Sequence, residues 1–277
     1  TAYVQTVPEL PDYLKERAAF WADTGSISVI DDGAGKLTQW RDLRETAAVG
    51  ATPTSIYGVP AWTNGDTTAF QNVNPSIVTL GEGTTARKAL YFNGRSGQYL
   101  RLKEGTADKS IKNVRNVFAV HFPSNWFGSI VGAYTESRRG VFQLWAHDNS
   151  YLFNLNNASN DGLFWNRVDL SNLAFFDFSS RVAIDGRTVD PYSYFPTYKK
   201  WQTLELSSCS LYSGLAETIF FQRWEGSTTH KAGGDYLGEV LVFTNQLTRA
   251  EVNQVHAYLN AKWHFPIWRD EACYGGD

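Results

Sequence analysis

Three short segments in the middle of the chain, 141–147, 151–156 and 163–169, carry aromatic and polar residues at alternate positions. Side chains alternate across a strand, so within each segment these residues would share one face. Aromatic rings stack on the apolar faces of sugars, while amide and guanidinium groups bond sugar hydroxyls. If the three strands are neighbours in a meander, they form one carbohydrate-binding patch. Its members are Gln143, Trp145, Asn154, Asn156, Trp165 and Arg167.

The same residue types also stabilise a sheet without binding a ligand. Cross-strand pairs of Trp and Asn contribute to the stability of a solvated or loop-covered sheet face. Sheet packing therefore stays open as the alternative interpretation of this patch. If the two Trp residues of the patch do not bind, Tyr57 and Trp62 are predicted to offer the next aromatic surface.

Four carboxylates near the start of the chain suggest a calcium site, because calcium prefers several oxygen ligands. They are Asp23, Asp31, Asp32 and Asp42. The alternative is structural: an Asp-Asp-Gly sequence at 31–33 is typical of a turn, and Asp42 can accept backbone N–H bonds. No EF-hand ligand series is present, so we favour the structural roles. Structural calcium is therefore the only cofactor that the sequence suggests, and no other cofactor is expected.

The elements that would position these residues are mainly short strands. Apolar or alternating segments bounded by Gly, Asn, Asp and Ser recur along the chain, which is typical of an antiparallel sandwich. An Asp-Gly pair at 185–186 lies between two such segments and predicts a type I′ hairpin. The segment 44–87 has weak periodicity and predicts long loops over the sandwich. The other predicted strands cover 89–92, 117–122, 181–184, 203–206, 218–224 and 236–243.

Two helices are predicted, a short one near 11–20 and a longer one near 248–263. Thr248 and Glu251 form a capping box at the start of the second helix. Apolar residues then follow at helical spacing and predict a stripe that packs on the sandwich. We expect His256 to lie in or beside this core rather than to bind a ligand. The stripe consists of Val252, Val255, Leu259 and Trp263.

Composition excludes two classes of partner. The formal net charge is -3 with the two signs interspersed, so no basic stripe is available for nucleic acid. No apolar stretch approaches the roughly 18 residues that a membrane span needs. With 277 residues, of which 15% are aromatic, the chain can bury a strand-rich core without a metal or a disulfide.

Several motifs resemble bacterial laminin G-like domains of the concanavalin A-like jelly-roll class. They are FWAD at 20–23, DDG at 31–33, TQWRDL at 38–43, YFNG at 91–94 with YL at 99–100, GEVLVF at 238–243, and the helix residues around YL at 258–259 and KW at 262–263. The resemblance spans 20–263 in the family's order. It implies an all-β, two-sheet antiparallel sandwich with a C-terminal helix, and we take 1–277 as one such domain.

The resemblance leaves function open, because the class includes lectins, glucanases, adhesion domains and spacers. Its glucanases carry a Glu-x-Asp-x-x-Glu strand, and in this chain no Glu is followed two positions later by Asp. The chain also lacks the Gly-x-Ser-x-Gly, His-Glu-x-x-His, phosphate-loop and Cys-x-x-Cys motifs. We therefore expect a non-catalytic protein, although catalytic groups that assemble only in space stay open.

The leading hypothesis is an extracellular, lectin-like module that binds a glycan or a cell-surface polysaccharide. The alternative is a structural or adhesive subunit of a surface assembly, which would contact copies of itself or other surface proteins. The chain contains no Met, even at position 1, which permits export through a removed leader. Cys209 and Cys273 would form a disulfide if the protein is secreted, and two free thiols are the alternative.

Overall fold

A computed structural model describes residues 9–62, 74–83, 86–92, 98–109, 111, 115–123, 143–146, 153–154, 181–188, 200–207, 218–220 and 235–263. These residues are mainly in strands, with two helices, α1 (Asp12–Arg17) and α2 (Arg249–Trp263). The strands are β1 (Ala18–Ala22), β2 (Val29–Asp31), β3 (Leu37–Arg41), β4 (Tyr57–Trp62), β5 (Ser76–Leu80), β6 (Arg87–Phe92), β7 (Gln98–Glu104), β8 (Ala107–Asp108), β9 (Asn116–Pro123), β10 (Gln143–Ala146), β11 (Phe153–Asn154), β12 (Arg181–Ile184), β13 (Arg187–Thr188), β14 (Gln202–Ser207), β15 (Thr218–Phe220) and β16 (Asp235–Phe243).

The described strands form two antiparallel sheets. Sheet A has the order β13-β12-β14-β9-β16-β6-β5, with β1 also paired to β16. Sheet B has the order β11-β10-β15-β7-β4-β3-β2, with β8 also paired to β7. The predicted mainly antiparallel architecture is therefore confirmed. The hairpin at β12 and β13 is confirmed too, because Asp185 and Gly186 have φ of 51° and 82°, both positive as a type I′ turn requires.

A buried cluster draws on both sheets. Val117 and Ala119 come from sheet A, and Trp40 and Leu102 come from sheet B. The rings of Phe20 and Trp40 meet edge to face, with their centroids 5.6 Å apart. Each fully buried side chain of this size stabilises the fold by about 1.5–3 kcal/mol relative to exposure. The cluster therefore holds the two sheets together.

Helix α2 packs on the other side of sheet A. Phe118 and Leu241 alternate with the residues that enter the shared core, and they pack with Val255 and Leu259 of the helix. The predicted apolar stripe is thus buried. The predicted capping box is present as well, because the Glu251 N–H donates to Thr248 Oγ1 at 3.2 Å and the Thr248 N–H donates to Glu251 Oε2 at 2.8 Å.

A bulge in β16 changes the neighbour of that strand. Residues 235–237 pair with β6 and residues 240–243 pair with β1, while the register on β9 shifts between Leu237 and Glu239. Gly238, between these two residues, lies directly under the Trp263 ring. A Cβ at this position would be 2.5 Å from the nearest ring carbon, so the close approach requires glycine.

Two parts of the sequence interpretation need correction. The first helix ends at Arg17, because Ala18 is extended and residues 18–20 pair with β16. The segment 44–87 is not only loops, since β4 lies inside sheet B and β5 lies at an edge of sheet A. Gly58 and Pro60 obscure the strand pattern of β4, because both residues are poor strand formers.

The segment 42–56, which joins β3 to β4, is a loop that packs around two buried charged side chains. The Arg41 guanidinium donates to the carbonyls of Ala47 at 3.0 Å and Ala51 at 3.1 Å. The Glu45 carboxylate accepts the Ala47 N–H at 2.7 Å, and it also accepts the Ser55 N–H and the Thr54 hydroxyl.

Tyr57 does not supply the exposed aromatic surface that was predicted. The residue is only 6% exposed, and its hydroxyl donates to the Gly105 carbonyl at 2.7 Å.

Candidate functional site

A polar group of largely buried side chains lies between β16 and the last turn of α2, around the fully buried Glu239. Its Oε1 accepts the Trp21 indole N–H and the Tyr258 hydroxyl, each at 2.7 Å. Its Oε2 accepts the Trp263 indole N–H at 2.8 Å and lies 2.9 Å from Lys262 Nζ. Four donors thus meet one carboxylate. We call these five residues the Glu239 cluster.

Lys262 joins a second carboxylate to the cluster, because its Nζ donates to Asp23 Oδ2 at 2.7 Å. Burial on its own lowers the pKa of Lys262, but the charges of Glu239 and Asp23 outweigh it and raise the pKa above its ordinary value. Burial, and then the charge of Glu239, raise the pKa of Tyr258 as well. The ammonium and the phenol therefore keep their protons and act as fixed donors.

The residues that carry the laminin G-like resemblance contact one another here. The Trp40 indole donates to the Asp23 carbonyl at 2.6 Å, which links the FWAD and TQWRDL segments. The Trp21 N–H donates to Asp42 Oδ2 at 2.9 Å. Sequence reasoning did not identify Glu239 as the centre of this network. The available signal was one acidic residue, Glu239, within the otherwise apolar segment 236–243.

The four predicted calcium ligands all accept hydrogen bonds from the protein. Asp42 is held by the Arg44 guanidinium at 2.6 Å, and Asp23 is held by Lys262. Asp31 accepts the Gly33 N–H at 2.8 Å, as in a turn. Hydrogen bonds from the N–H groups of Ala34 and Lys36 lower the pKa of Asp32. Within the described ranges, no three His, Cys, Asp or Glu side chains come together as metal ligands would.

A second buried ionisable pair lies under the middle of α2. His256 Nε2 is 3.3 Å from Glu205 Oε1, and both side chains are fully buried. The His256 ring also meets the Phe118 ring edge to face at 5.3 Å. His256 is thus in the core, as expected, and it connects the helix to β14.

The structure brings three of the predicted sugar ligands to one face of sheet B. Gln143 and Asn154 are directly opposite in the pairing of β10 with β11, and Trp145 is two residues from Gln143 on the same strand. Trp145 is opposite Ile219, which is opposite Arg101. Trp145, Ile219 and Arg101 thus form one row across the strands, and the adjacent row consists of Leu144, Phe220 and the buried Leu100. Leu100 belongs to the shared core, so the row that contains Trp145 is on the opposite face of sheet B.

The remaining predicted residues lie outside the described residues. Asn156, Trp165 and Arg167 are among them, so the predicted third strand of the meander is not part of this description. The same is true of Cys209 and Cys273.

Comparison with protein-family models, with curated proteins and with solved structures found no match. None of the helices in the described part of the chain has the length and apolar character needed to cross a membrane.

Proposed function

We propose that this protein is a secreted, non-catalytic carbohydrate-binding module with a jelly-roll sandwich of the concanavalin A-like type. The observation that carries the proposal is the backbone register of β10 and β11. It places Gln143, Trp145 and Asn154 at neighbouring positions on one face of sheet B. An indole and two amides are groups that suit a sugar ligand, because the ring can contact C–H groups while the amides can bond hydroxyls.

The two sheets support the fold part of the proposal. They are antiparallel throughout their described pairings and share a buried cluster, as the layers of a sandwich do. The core occupies the face of sheet B that contains Leu100. The row through Trp145 is on the opposite face, so the shared core does not use it.

Two buried carboxylates, those of Glu239 and Asp42, are occupied by contacts within the protein. Glu239 accepts two indole N–H groups and a phenol and pairs with an ammonium, and Asp42 accepts a backbone N–H and pairs with Arg44. A general acid or nucleophile must instead direct a carboxyl oxygen at substrate. Glu239 and Asp42 therefore have structural roles.

The test is a screen of the intact protein on a glycan array, followed by titration calorimetry with each glycan found. We expect Trp145→Ala to weaken binding about fivefold or more, since the loss of one stacked ring costs about 1 kcal/mol or more. Gln143→Ala should weaken it less. Tyr13→Ala is the matched control, because Tyr13 is an exposed aromatic residue on α1, 45% exposed.

Two results would contradict the proposal. The first is unchanged affinity in a folded Trp145→Ala variant. The second is a protein that binds no glycan and sediments as ordered polymers, which would favour a structural subunit of a surface assembly instead.

A further inference from the structure

Two tyrosines, Tyr91 on β6 and Tyr236 on β16, lie directly opposite each other in sheet A. Their rings are stacked, with centroids 4.6 Å apart and planes inclined by 25°. The Phe122 ring meets the Tyr236 ring edge to face at 5.6 Å, and it comes from β9 on the other side of β16. Both tyrosines are half-buried. The sheet thus holds two phenols in contact that are distant in sequence.

Two phenols in contact can be joined by oxidation. A phenol that loses one electron and one proton becomes a phenoxyl radical, and two such radicals couple at ring carbons next to the hydroxyls. Groups held side by side react far more readily than free groups, because their encounter has already taken place. Two rings joined by one carbon–carbon bond have centroids only slightly closer than those of Tyr91 and Tyr236. The two rings therefore need to turn edge towards edge, and they need not travel to meet.

Three other tyrosines in the described ranges have different surroundings. The exposed Tyr13 donates its hydroxyl to Gln254 at 3.0 Å. Tyr57 is buried and donates to a backbone carbonyl. The Tyr258 ring meets the Trp21 ring edge to face at 6.0 Å. Each of these three phenols contacts a partner other than a second phenol.

We propose that Tyr91 and Tyr236 are an oxidative modification site, at which a peroxidase-type one-electron oxidant with hydrogen peroxide forms a dityrosine within the chain. Each phenol gives up one electron and one proton, and one hydrogen peroxide accepts both pairs and is reduced to two waters. The two ring carbons then form one bond, lose their hydrogens as protons, and the two oxygens regain a proton each. The proposal does not depend on glycan binding.

The new bond would join β6 to β16 covalently. β16 is an inner strand of sheet A, which pairs with β6, β9 and β1. A cross-link between residues far apart in sequence restricts the unfolded chain, as a disulfide that closes a long loop does. The linked protein should therefore unfold at a higher urea concentration than an oxidised variant that lacks one of the two phenols.

The test is to treat the dilute, folded full chain with a haem peroxidase and hydrogen peroxide, and then to digest it with trypsin. We expect a monomer that is two hydrogen atoms lighter, shows dityrosine fluorescence, and yields peptide 89–95 joined to peptide 232–249. Tyr91→Phe and Tyr236→Phe should each lose this joined pair, because the oxidised hydroxyl is missing while the ring stays. Tyr13→Phe is the matched control and should keep it, since Tyr13 is an exposed tyrosine on α1.

The same oxidation in urea separates geometry from reactivity. Unfolding removes the contact between the two rings, so the joined pair should be lost there. The proposal is overturned if the folded protein gives no joined pair, if the pair forms equally well in urea, or if only dimers linked through other tyrosines appear. A linked monomer that unfolds at the same urea concentration as oxidised Tyr91→Phe would overturn the stabilising role of the bond.

Discussion

Replacing Glu239 with Gln should strongly destabilise the protein, because the change removes one acceptor oxygen and the negative charge from a fully buried site. The wild-type carboxylate receives two donors on each oxygen. A Gln side chain keeps one oxygen and presents an NH₂ group to the two donors on the other side. Those two donors lose their acceptor, and Lys262 keeps only Asp23 as a charged partner.

The expected loss is about 3–5 kcal/mol in the free energy of unfolding. Hydrogen bonds to a charged group contribute about 1.5–3 kcal/mol each, and two are lost. Removing one partner of a buried ion pair costs about 3–5 kcal/mol, which agrees with that sum. The loss is a large part of the stability of an ordinary domain.

Urea unfolding followed by circular dichroism measures this change, with near-ultraviolet spectra reporting on the packing of the aromatic residues as a whole. Glu251→Gln is the matched control, because Glu251 also accepts hydrogen bonds at α2 but near its solvent-facing start. We expect a loss of about 1 kcal/mol or less there. If Glu239→Gln lies within about 1 kcal/mol of wild type at an unchanged m value, the cluster does not hold the helix as argued.

Three further predictions concern packing, pH and covalent structure. Gly238→Ala should cost about 1–3 kcal/mol in urea unfolding, because its Cβ would overlap the Trp263 ring. Burial on its own raises the pKa of Glu45, but hydrogen bonds from backbone N–H groups and a hydroxyl lower it to about 2 from an ordinary 4.5. The folded state then binds fewer protons, so the stability due to Glu45 is present above about pH 4.5 and lost as the pH falls toward 2. In secreted material, Cys209 and Cys273 should form a disulfide, seen as a mass two hydrogens lower without reductant.

Each of these predictions has its own control. Gly58→Ala should cost less than Gly238→Ala, because its Cβ would meet its neighbours at an ordinary 3.5 Å. Glu45→Gln should flatten the acid limb of the stability profile, and an unchanged limb would show that other carboxylates cause it. Two free thiols in native secreted protein would refute the disulfide.

Much of the local structure could be predicted because its signals are local. The capping box at Thr248 and Glu251 and the positive φ at Asp185 and Gly186 depend only on neighbouring residues. The strand predicted around Gln143 and Trp145 is present as β10. β4 was missed because Gly58 and Pro60 break the pattern, and its place inside sheet B comes from pairing with β3 and β7, which are distant in sequence.

The Glu239 cluster could not be predicted in the same way. Trp21 and Glu239 are 218 positions apart, and only the pairing of β1 with β16 brings them together.

By itself the sequence determined the mainly β class, the capped C-terminal helix and the faces of individual strands, because side-chain alternation and capping act within a few residues. The tertiary structure alone decided which carboxylates are taken up by the fold. For Asp23 and Asp42 the sequence left metal binding open beside the favoured structural roles, and it showed Glu239 only as an acidic residue in an apolar strand segment. Their donors, Lys262, Arg44 and the two indoles, reach them only after the sheets and the helix have packed.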